Sequence, residues 1–283
     1  MSQPSSNADQ IAYWNQVGGP KWVRYQAMLD HQLDGIGSIV MDAAALSAGE
    51  SVLDVGCGCG STTLELARRV GGRGRATGID ISRPMLELAR ERARAAGVAN
   101  ADFVEADAQV HAFRPDHDVL FSRFGVMFFD DPTRAFANLH RALRGGGRLA
   151  FACWQALPRN PWMAMPMMAA LEHVSVEAPA SPHAPGPFAF ADSTRVEGIL
   201  AGAGFRGVEV KPLDVSISIG GGVSLDETVE FLLEMGPLGR VLGSQADDVK
   251  AKVSAAVRSV IEGHAGKDGV TMAGAIWVVT ARA

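Results

Sequence analysis

Cysteine is scarce in this chain. Cys57, Cys59 and Cys153 are the three cysteines among its 283 residues. An odd and low count does not support a disulfide framework and is usual for proteins of a reducing compartment. The first ten residues are polar and contain no apolar core of the kind that a secretory signal peptide needs. We therefore expect a protein of the cytoplasm.

Long apolar runs and an excess of positive charge are also missing. No run approaches the roughly 20 apolar residues that span a bilayer, so no membrane span is predicted. The formal net charge is −5, which disfavours a phosphate-binding surface, and nucleic acid is not an expected partner. Hydrophobic residues nevertheless make up 47% of the chain, which at this length is enough for a sizeable core.

Strand-like and helix-like segments alternate between residues 50 and 156. This alternation predicts a doubly wound α/β fold, in which helices cover both faces of a parallel sheet. Five apolar runs are interpreted as its strands: SVLDVG, RATGIDI, ADFVEADA, HDVLFSRFGVMFF and GRLAFACW.

The pattern divides the chain into four parts. Residues 1–49 read as an N-terminal helical segment whose first ten residues are expected to be disordered, and residues 50–156 form the core. Residues 157–192 are rich in proline, methionine and aromatic side chains, and such a long insertion predicts an ordered lid. Residues 193–283 return to the core sheet and carry a helical cap at 224–265.

Three glycines follow the first predicted strand at alternate positions, Gly56, Gly58 and Gly60. At the N-terminus of the next helix, backbone N–H groups are unpaired and the helix dipole is positive, so glycines there let a ligand approach the backbone. The dinucleotide fingerprint G-x-G-x-x-G would place its last glycine at Ser61. The loop thus predicts a nucleotide-like ligand for which NAD is not the best match.

Cys57 and Cys59 lie inside this loop and raise the alternative of a metal or redox site. A C-x-C pair supplies two thiolates, whereas a structural zinc site needs four ligands at recognisable spacing. Cys153 and the scattered histidines offer no second pair. We therefore predict no metal site and interpret both cysteines as small side chains in a tight turn.

Acidic residues end the next two predicted strands. Asp80 ends the strand in "GIDIS", where an acid of a doubly wound fold bonds the ribose hydroxyls of a nucleotide. A helix cap is the alternative role, although Ser82 is also available as the cap. Asp107 ends "VEADA" and is placed to accept a hydrogen bond from an adenine amino group, with a simple turn as its alternative.

Several of these segments, in this order, resemble the class I S-adenosylmethionine-dependent methyltransferases, in particular the small-molecule and ubiquinone-type branch. The resemblance covers residues 50–155 well and the closing strand more loosely. It implies a Rossmann-like, seven-stranded, mostly parallel sheet with a reversed last strand and a helical cap, and S-adenosyl-L-methionine as cofactor. The segments that carry it are VLDVGCGCG, GIDIS, EADA, DVLFSRFGVMFF and LRGGGRLAFACW.

The resemblance also implies which residues hold the cofactor. The glycine loop would carry the methionine portion, Asp80 the ribose and Asp107 the adenine, while Arg123 would face the substrate. The full set of implied cofactor residues is Asp54, Gly56, Cys57, Gly58, Gly60, Asp80, Ile81, Asp107, Ala108 and Ser122.

No motif names the methyl acceptor. The stretch "NPWMAMPMM" contains Trp162 and four methionines, side chains that adapt to irregular apolar ligands but that also pack as ordinary core. Arg123 is a second candidate for substrate binding, because it would orient an anionic acceptor; its alternative is an ion pair with Asp130 or Asp131.

A catalytic base is needed only if the nucleophile must lose a proton. His173 and Arg123 are the catalytic candidates, followed by His183 and His111, and each histidine is as readily a surface side chain. We predict methyl transfer by in-line displacement to a small apolar or aromatic acceptor. An NAD-linked oxidoreductase and a non-catalytic cofactor-binding sensor or scaffold stay open as alternatives, and the oligomeric state has no signature.

Overall fold

The computed structural model describes residues 7–175, 181–243 and 245–283. A single sheet lies at the centre, with strand order β3-β2-β1-β4-β5-β8-β6 and a short β7 paired with β8. The strands are β1 (Ser51–Val55), β2 (Arg75–Asp80), β3 (Ala101–Glu105), β4 (His117–Arg123), β5 (Leu143–Trp154), β6 (Arg206–Ile219), β7 (Ala265–Gly266) and β8 (Gly269–Arg282).

The direction of the strands confirms the predicted fold class. Strands β1 to β5 pair in parallel, whereas β8 runs antiparallel to both of its long neighbours, β5 and β6. The long strands therefore form the predicted mostly parallel sheet with a reversed last strand, and the two residues of β7 add a short antiparallel pair. Every residue of β1 is buried, as expected for a strand covered on both faces.

Helices flank the sheet in two groups. Helix α4 lies against β1, β2 and β3 and contacts α3, which packs on β4, β5, β6 and β8, while α6 and α8 contact each other beside β5 and β6. The helices are α1 (Ala8–Tyr13), α2 (Gly19–Arg24), α3 (Gln26–Ala43), α4 (Ser61–Val70), α5 (Arg83–Ala95), α6 (Pro132–Ala142), α7 (Pro161–Leu171), α8 (Ser193–Gly202), α9 (Leu225–Glu234), α10 (Gly236–Leu242) and α11 (Asp247–Ile261). A π-helical turn at Trp14–Gly18 joins α1 to α2, and 3₁₀ turns lie at Val126–Phe128, Leu157–Arg159 and Glu262–His264.

The insertion and the C-terminal helices pack on one another. Helix α7, from the insertion, contacts α10, α11 and β8, and α9 contacts α10 and α11. These contacts join the described part of the insertion to the helices that follow β6. None of the helices in the described ranges is both long and apolar enough to cross a membrane.

Two sequence-based boundaries were wrong. The fourth strand was expected to run to Phe129, but it ends at Arg123 because Phe124 has a left-handed φ of 65°. The N-terminal ten residues were expected to be disordered, yet α1 begins at Ala8; residues 1–6 lie outside the described ranges. Helix α10 was not predicted at all.

Candidate functional site

A cavity of about 290 Å³ lies where the parallel strands end. Segments that follow β1, β2, β3, β4 and β5 all contribute to its wall, together with residues of the N-terminal helices, of α7 and of the α9–α10 region. In open α/β sheets this edge is where ligands bind. The cavity has a polar end at the first three strands and an apolar end beneath α7.

The loop after β1 needs glycines because its backbone is left-handed and because neighbouring atoms leave no room for a side chain. Gly56, Gly58 and Gly60 have φ values of 70°, 55° and 81°, a region that strongly favours glycine. A Cβ on Gly56 would lie 2.6 Å from the Cα of Gly125, and one on Gly58 would lie 2.8 Å from the Met85 side chain. Gly56 and Gly58 line the cavity, whereas Gly60 is buried behind it as the N-cap of α4.

Asp54 lies beneath the loop and does not line the cavity. Its side chain is fully buried, and its Oδ2 accepts hydrogen bonds from the hydroxyls of Thr62 and Thr63, each at 2.6 Å. Burial raises the pKa of Asp54 to about 6, although the hydrogen bonds from the two hydroxyls act in the opposite direction. The hydroxyls of Thr62 and Thr63 therefore anchor the first turn of α4 to β1.

The two cysteines of the loop are buried free thiols. Burial raises the pKa of Cys59 to about 12 and that of Cys57 well above its ordinary value. Both are therefore protonated at neutral pH, while metal binding and nucleophilic attack need the thiolate. Within the described ranges, no group of three or more His, Cys, Asp and Glu side chains is placed to hold a metal ion.

Asp80 lines the cavity and also fixes the glycine loop. Its Oδ2 accepts the backbone N–H of Gly58 at 2.8 Å, and its Oδ1 accepts that of Ser82 at 2.9 Å. Burial raises the pKa of Asp80, although these backbone bonds oppose the shift. The hydroxyl of Ser82 does not cap α5 but donates to the carbonyl of Trp14 at 2.8 Å.

Asp107, Ala108 and Ile81 also line the polar end. The Oδ1 of Asp107 accepts the backbone N–H of Gln109 at 2.9 Å, and its Oδ2 accepts Nδ2 of Asn7 at 3.1 Å. The N-terminal segment thus lies across this end of the cavity. Asn7 lies in the stretch that was expected to be disordered, and no sequence signal singled it out.

Trp14 and Trp22 bring the N-terminal segment onto the cavity wall as well. Their rings lie edge to face, with centroids 6.1 Å apart. Trp14 also packs edge to face on Phe128, with centroids 5.2 Å apart, so it joins the N-terminal segment to the loop after β4.

Ser122 and Arg123, adjacent in sequence, differ in position. The hydroxyl of Ser122 donates to the carbonyl of Val55 at 2.7 Å, and the residue does not line the cavity. Arg123 does line it, with only 10% of its side chain exposed. Its Nη1 lies 3.6 Å from Oδ1 of Asp34 but makes no hydrogen bond to a described residue.

Arg123 therefore pairs with an acid of α3, and the alternative pairing with Asp130 or Asp131 is wrong. Asp131 instead accepts the backbone N–H of Arg134 and caps α6. Burial lowers the pKa of Arg123, while Asp30, Asp34 and Asp54 nearby oppose the shift. An arginine keeps its charge in proteins, so the cavity wall carries a buried cation.

The apolar end of the cavity is built on aromatic rings. Phe124 stacks on Trp154 with centroids 4.1 Å apart and planes 6° apart, and Trp162 lies 5.2 Å from Trp154. The rest of this wall is aliphatic, aromatic or thioether: Leu157, Met163, Pro166, Met167, Phe188, Phe231, Leu232, Met235 and Leu238.

The histidines singled out in the sequence lie away from the cavity. His173 and His183 are exposed, and His111 is half-buried against Phe113. Among the described residues, no histidine contributes to the cavity wall. The structure therefore does not bring any of these candidate bases to the site.

Comparison with known proteins matches residues 52–147 to the model of a methyltransferase domain. Aklanonic acid methyltransferase DauC of Streptomyces sp. (strain C5) is 35% identical over 117 residues, which are 41% of this chain and 53% of the relative. The ubiquinone/menaquinone biosynthesis C-methyltransferase UbiE of Enterobacter sp. (strain 638) is 34% identical over 133 residues, 44% of this chain and 53% of the relative. The chain thus spans about half the length of these curated relatives.

Among solved structures, the [4+2]-cyclase SpnF superposes with a TM-score of 0.53 at 22% identity and covers 88% of this chain and 80% of its own. At that identity the likeness concerns the fold alone. The matched residues 52–147 include the glycine loop, all but the first residue of β1, and β2 to β4, so they contain the segments that form the polar end of the cavity. Residues 52–147 therefore match a methyltransferase domain, and over part of its length the chain is similar to curated methyltransferases.

Proposed function

We propose that the protein transfers a methyl group from S-adenosylmethionine to a small acceptor with an apolar or aromatic body. One observation carries the proposal: a single cavity joins the glycine loop, Asp80 and Asp107 to a chamber of aromatic and methionine side chains. A cofactor bound at the first end and an acceptor in the second would meet without crossing bulk water. The names of the two curated relatives, which include aklanonic acid and ubiquinone/menaquinone biosynthesis, support an acceptor of this kind.

The polar end fits S-adenosylmethionine in shape and charge. At Gly56 and Gly58 a side chain would collide with neighbouring atoms, so the bare backbone forms the wall. The carboxylates of Asp80 and Asp107 would hold the ribose and the adenine, as acids do at these places in doubly wound folds. Arg123, a buried cation without a hydrogen-bond partner on Nη1, suits the carboxylate of the methionine portion.

When bound, the cofactor supplies a methyl group on a sulfonium, which is already a strong electrophile. The chain's own task is then to hold the acceptor in line and to exclude water. The stacked pair Phe124 and Trp154, together with Trp162, gives the acceptor a rigid flat wall. Because no histidine among the described residues lines the cavity, we propose that the acceptor arrives with its nucleophile already able to react.

The insertion and the cap each contribute to the acceptor wall. Helix α7 brings Trp162 and Met167, and the region of α9 and α10 brings Phe231 and Leu238. We therefore propose that residues 157–192 act as the lid and 224–265 as the far wall of the acceptor site. We also propose a cytoplasmic location, because Cys57, Cys59 and Cys153 are all free thiols.

A methyl-transfer assay tests the proposal. The protein is incubated with methyl-labelled S-adenosylmethionine and a panel of aromatic phenols, quinols and β-dicarbonyl compounds, and labelled product is counted. We expect transfer to at least one flat aromatic member. The Asp80→Ala variant serves as the control, because loss of cofactor binding must abolish any transfer that the site performs.

The alternatives give different results. An oxidoreductase would bind NADH and change its absorbance with a carbonyl substrate, while a sensor would bind S-adenosylmethionine without labelled product from any panel member. Binding of NADH with no binding of S-adenosylhomocysteine would contradict the proposed function.

A further inference from the structure

Helix α3 brings an amide side chain, Gln32, to the apolar end of the cavity. Gln32 lines the cavity together with Leu29 and Leu33 of the same helix, and it is only 7% exposed. It is bonded to Gly220, the residue after β6, where an added Cβ would lie 3.8 Å from the ring of Phe231. Phe231 belongs to the apolar wall, so Gln32 is a buried polar group beside the proposed acceptor.

The hydrogen bond to Gly220 fixes the direction of the amide. Oε1 of Gln32 accepts the backbone N–H of Gly220 at 2.9 Å. The oxygen of an amide is its acceptor and the NH₂ group is its donor, so the two cannot be exchanged in this bond. The donor of Gln32 is therefore the arm that does not face the turn after β6.

This NH₂ group has no partner and is open to the cavity. The bond to Gly220 is the only one that the side chain of Gln32 makes to a described residue, yet Nε2 is not among the partnerless polar atoms that the protein encloses. Nε2 therefore reaches accessible space, and the space that Gln32 lines is the cavity. Nε1 of Trp162, by contrast, is enclosed and is not open to a ligand in this way.

The molecule that fills the apolar end decides what happens to this donor. A body with only hydrocarbon at this point would exclude water from Nε2 and leave its N–H groups unpaired, which costs the desolvation of a buried donor. A site that bonds a polar group of its ligand rejects the analogue that lacks it for this reason. An oxygen placed against Nε2 removes the cost.

We propose that Gln32 determines acceptor specificity, because its Nε2 donates a hydrogen bond to an oxygen, such as a carbonyl, on the flat body of the methyl acceptor. This inference rests on the proposed function. The NH₂ group of an amide donates and does not accept, so it pairs with the lone pair of an oxygen and disfavours a cationic or N–H group at the same place.

The test uses two probes that differ at one group. α-Tetralone carries a carbonyl where tetralin carries a methylene, on the same fused pair of rings. Dissociation constants of both are measured by ligand-observed NMR while S-adenosylhomocysteine saturates the cofactor end. The ratio of the two constants cancels the part of the binding that the probes share.

Two variants separate recognition from packing. Gln32→Glu keeps an oxygen for the N–H of Gly220 but replaces the donor by a second acceptor, whereas Gln32→Leu removes both. We expect the affinity for α-tetralone relative to tetralin to fall by about tenfold in each, the scale of one hydrogen bond from a buried group. Gln32→Glu is measured at about pH 8, so that the introduced carboxyl is ionised.

Gln26→Leu is the matched control. Gln26 lies on the same helix and lines the cavity, but its Nε2 already donates to Asp30. The variant should leave the ratio of the two probes within about twofold of the parent, because it removes no open donor. Melting curves and the affinity for S-adenosylhomocysteine establish that each variant is folded and that its cofactor end is intact.

Three results would overturn the inference and leave the proposed function in place. An unchanged ratio in folded Gln32→Leu rejects the hydrogen bond to the acceptor. A fall in Gln32→Leu but not in Gln32→Glu shows that Gln32 only holds Gly220. Failure of α-tetralone to bind a parent that binds S-adenosylhomocysteine shows that the cavity does not take a flat ketone. If the parent does not bind S-adenosylhomocysteine, the proposed function itself fails.

Discussion

Asp80 has two tasks at once, since its carboxylate lines the cavity and also holds the backbone of Gly58. We expect Asp80→Ala to weaken binding of S-adenosylhomocysteine by tenfold or more, because hydrogen bonds to a charged group contribute about 1.5–3 kcal/mol each. Isothermal calorimetry measures the change. Glu105→Gln is the matched control, because Glu105 ends the neighbouring strand but pairs with Arg83 on the surface.

Full affinity in the Asp80 variant would reject both the ribose role and the importance of the Gly58 bond. Equal loss in Glu105→Gln would point to a general charge effect, since that acid does not line the cavity.

Asp54 makes stability depend on pH in a defined direction. Burial raises its pKa to about 6, above the value near 3.9 that is ordinary for an unfolded chain. The folded state therefore holds this proton more tightly, so the contribution to stability is full below about pH 4 and is lost as the pH rises through about 6. Two pKa units correspond to about 3 kcal/mol, an order-of-magnitude figure.

We expect the Asp54→Asn variant to become more stable relative to the parent when the pH is raised from 4.5 to 7. Urea unfolding at both pH values measures it, and the titration of all other groups cancels in the difference. An Asp54→Asn difference that is the same at both pH values would show that Asp54 keeps an ordinary pKa in the fold.

Cys57 and Cys59 are expected to serve only as small buried side chains. The double variant Cys57→Ala, Cys59→Ala should bind S-adenosylhomocysteine within a few-fold of the parent, and metal analysis of the parent should find no stoichiometric zinc. Cys153→Ala is the control, since that buried thiol lies outside the cavity. Zinc in the parent that disappears in the double variant would contradict this interpretation.

At the scale of elements, helix α7 brings Trp162 of the insertion to the cavity wall, where we propose that the acceptor binds. The Trp162→Ala variant should lower turnover of the acceptor by about tenfold or more while cofactor affinity stays within a few-fold, because the ring lies beyond the polar end. A buried aromatic side chain also contributes roughly 3–5 kcal/mol to stability, so melting curves must accompany the kinetics.

Trp277→Ala is the matched control for Trp162. Its indole N–H donates to the carbonyl of Ala191 at 2.9 Å, and the ring does not line the cavity. A comparable loss of turnover in both folded variants would mean that Trp162 acts through packing alone.

The order of strands and loops along the chain predicts the site residues that lie at the carboxyl ends of the parallel strands. Gly56, Gly58, Asp80 and Asp107 follow from their positions after β1, β2 and β3, because parallel strands all end at one edge. Their backbone positions are fixed by the sheet itself, and periodicity is enough to find the sheet.

Other features depend on contacts between segments that are distant in sequence, so the sequence pattern does not predict them. Phe124 takes a left-handed φ where its loop crosses Gly56, so the end of β4 is set by a neighbouring loop. Ser122 turns to the carbonyl of Val55, away from the cavity. Asn7 donates to Asp107 across one hundred residues of sequence, and a single asparagine in a polar stretch has no periodicity to reveal it.

On the scale of the whole molecule, the cavity is lined by the N-terminal helices, the core loops and the cap together. A ligand that fills it should therefore stabilise the entire fold. S-adenosylhomocysteine at one hundred times its dissociation constant adds about 2.7 kcal/mol, which corresponds to a rise in melting temperature of several degrees for a chain of this size. Scanning calorimetry measures the shift, and a rise with NADH but not with S-adenosylhomocysteine would favour the oxidoreductase.

The place of β8 has a consequence for how the protein is made. Strand β6 is bonded only to β8 along the sheet, and β8 in turn separates it from β5. While the ribosome is synthesising residues 220–268, the fourteen residues of β6 have no partner strand, and an unpaired strand is a hazard for aggregation. Strands β1 to β5 need nothing beyond residue 154 for their own pairing. The part of the sheet that contains the glycine loop can thus form early in synthesis, whereas β6 is paired only after β8 has been made.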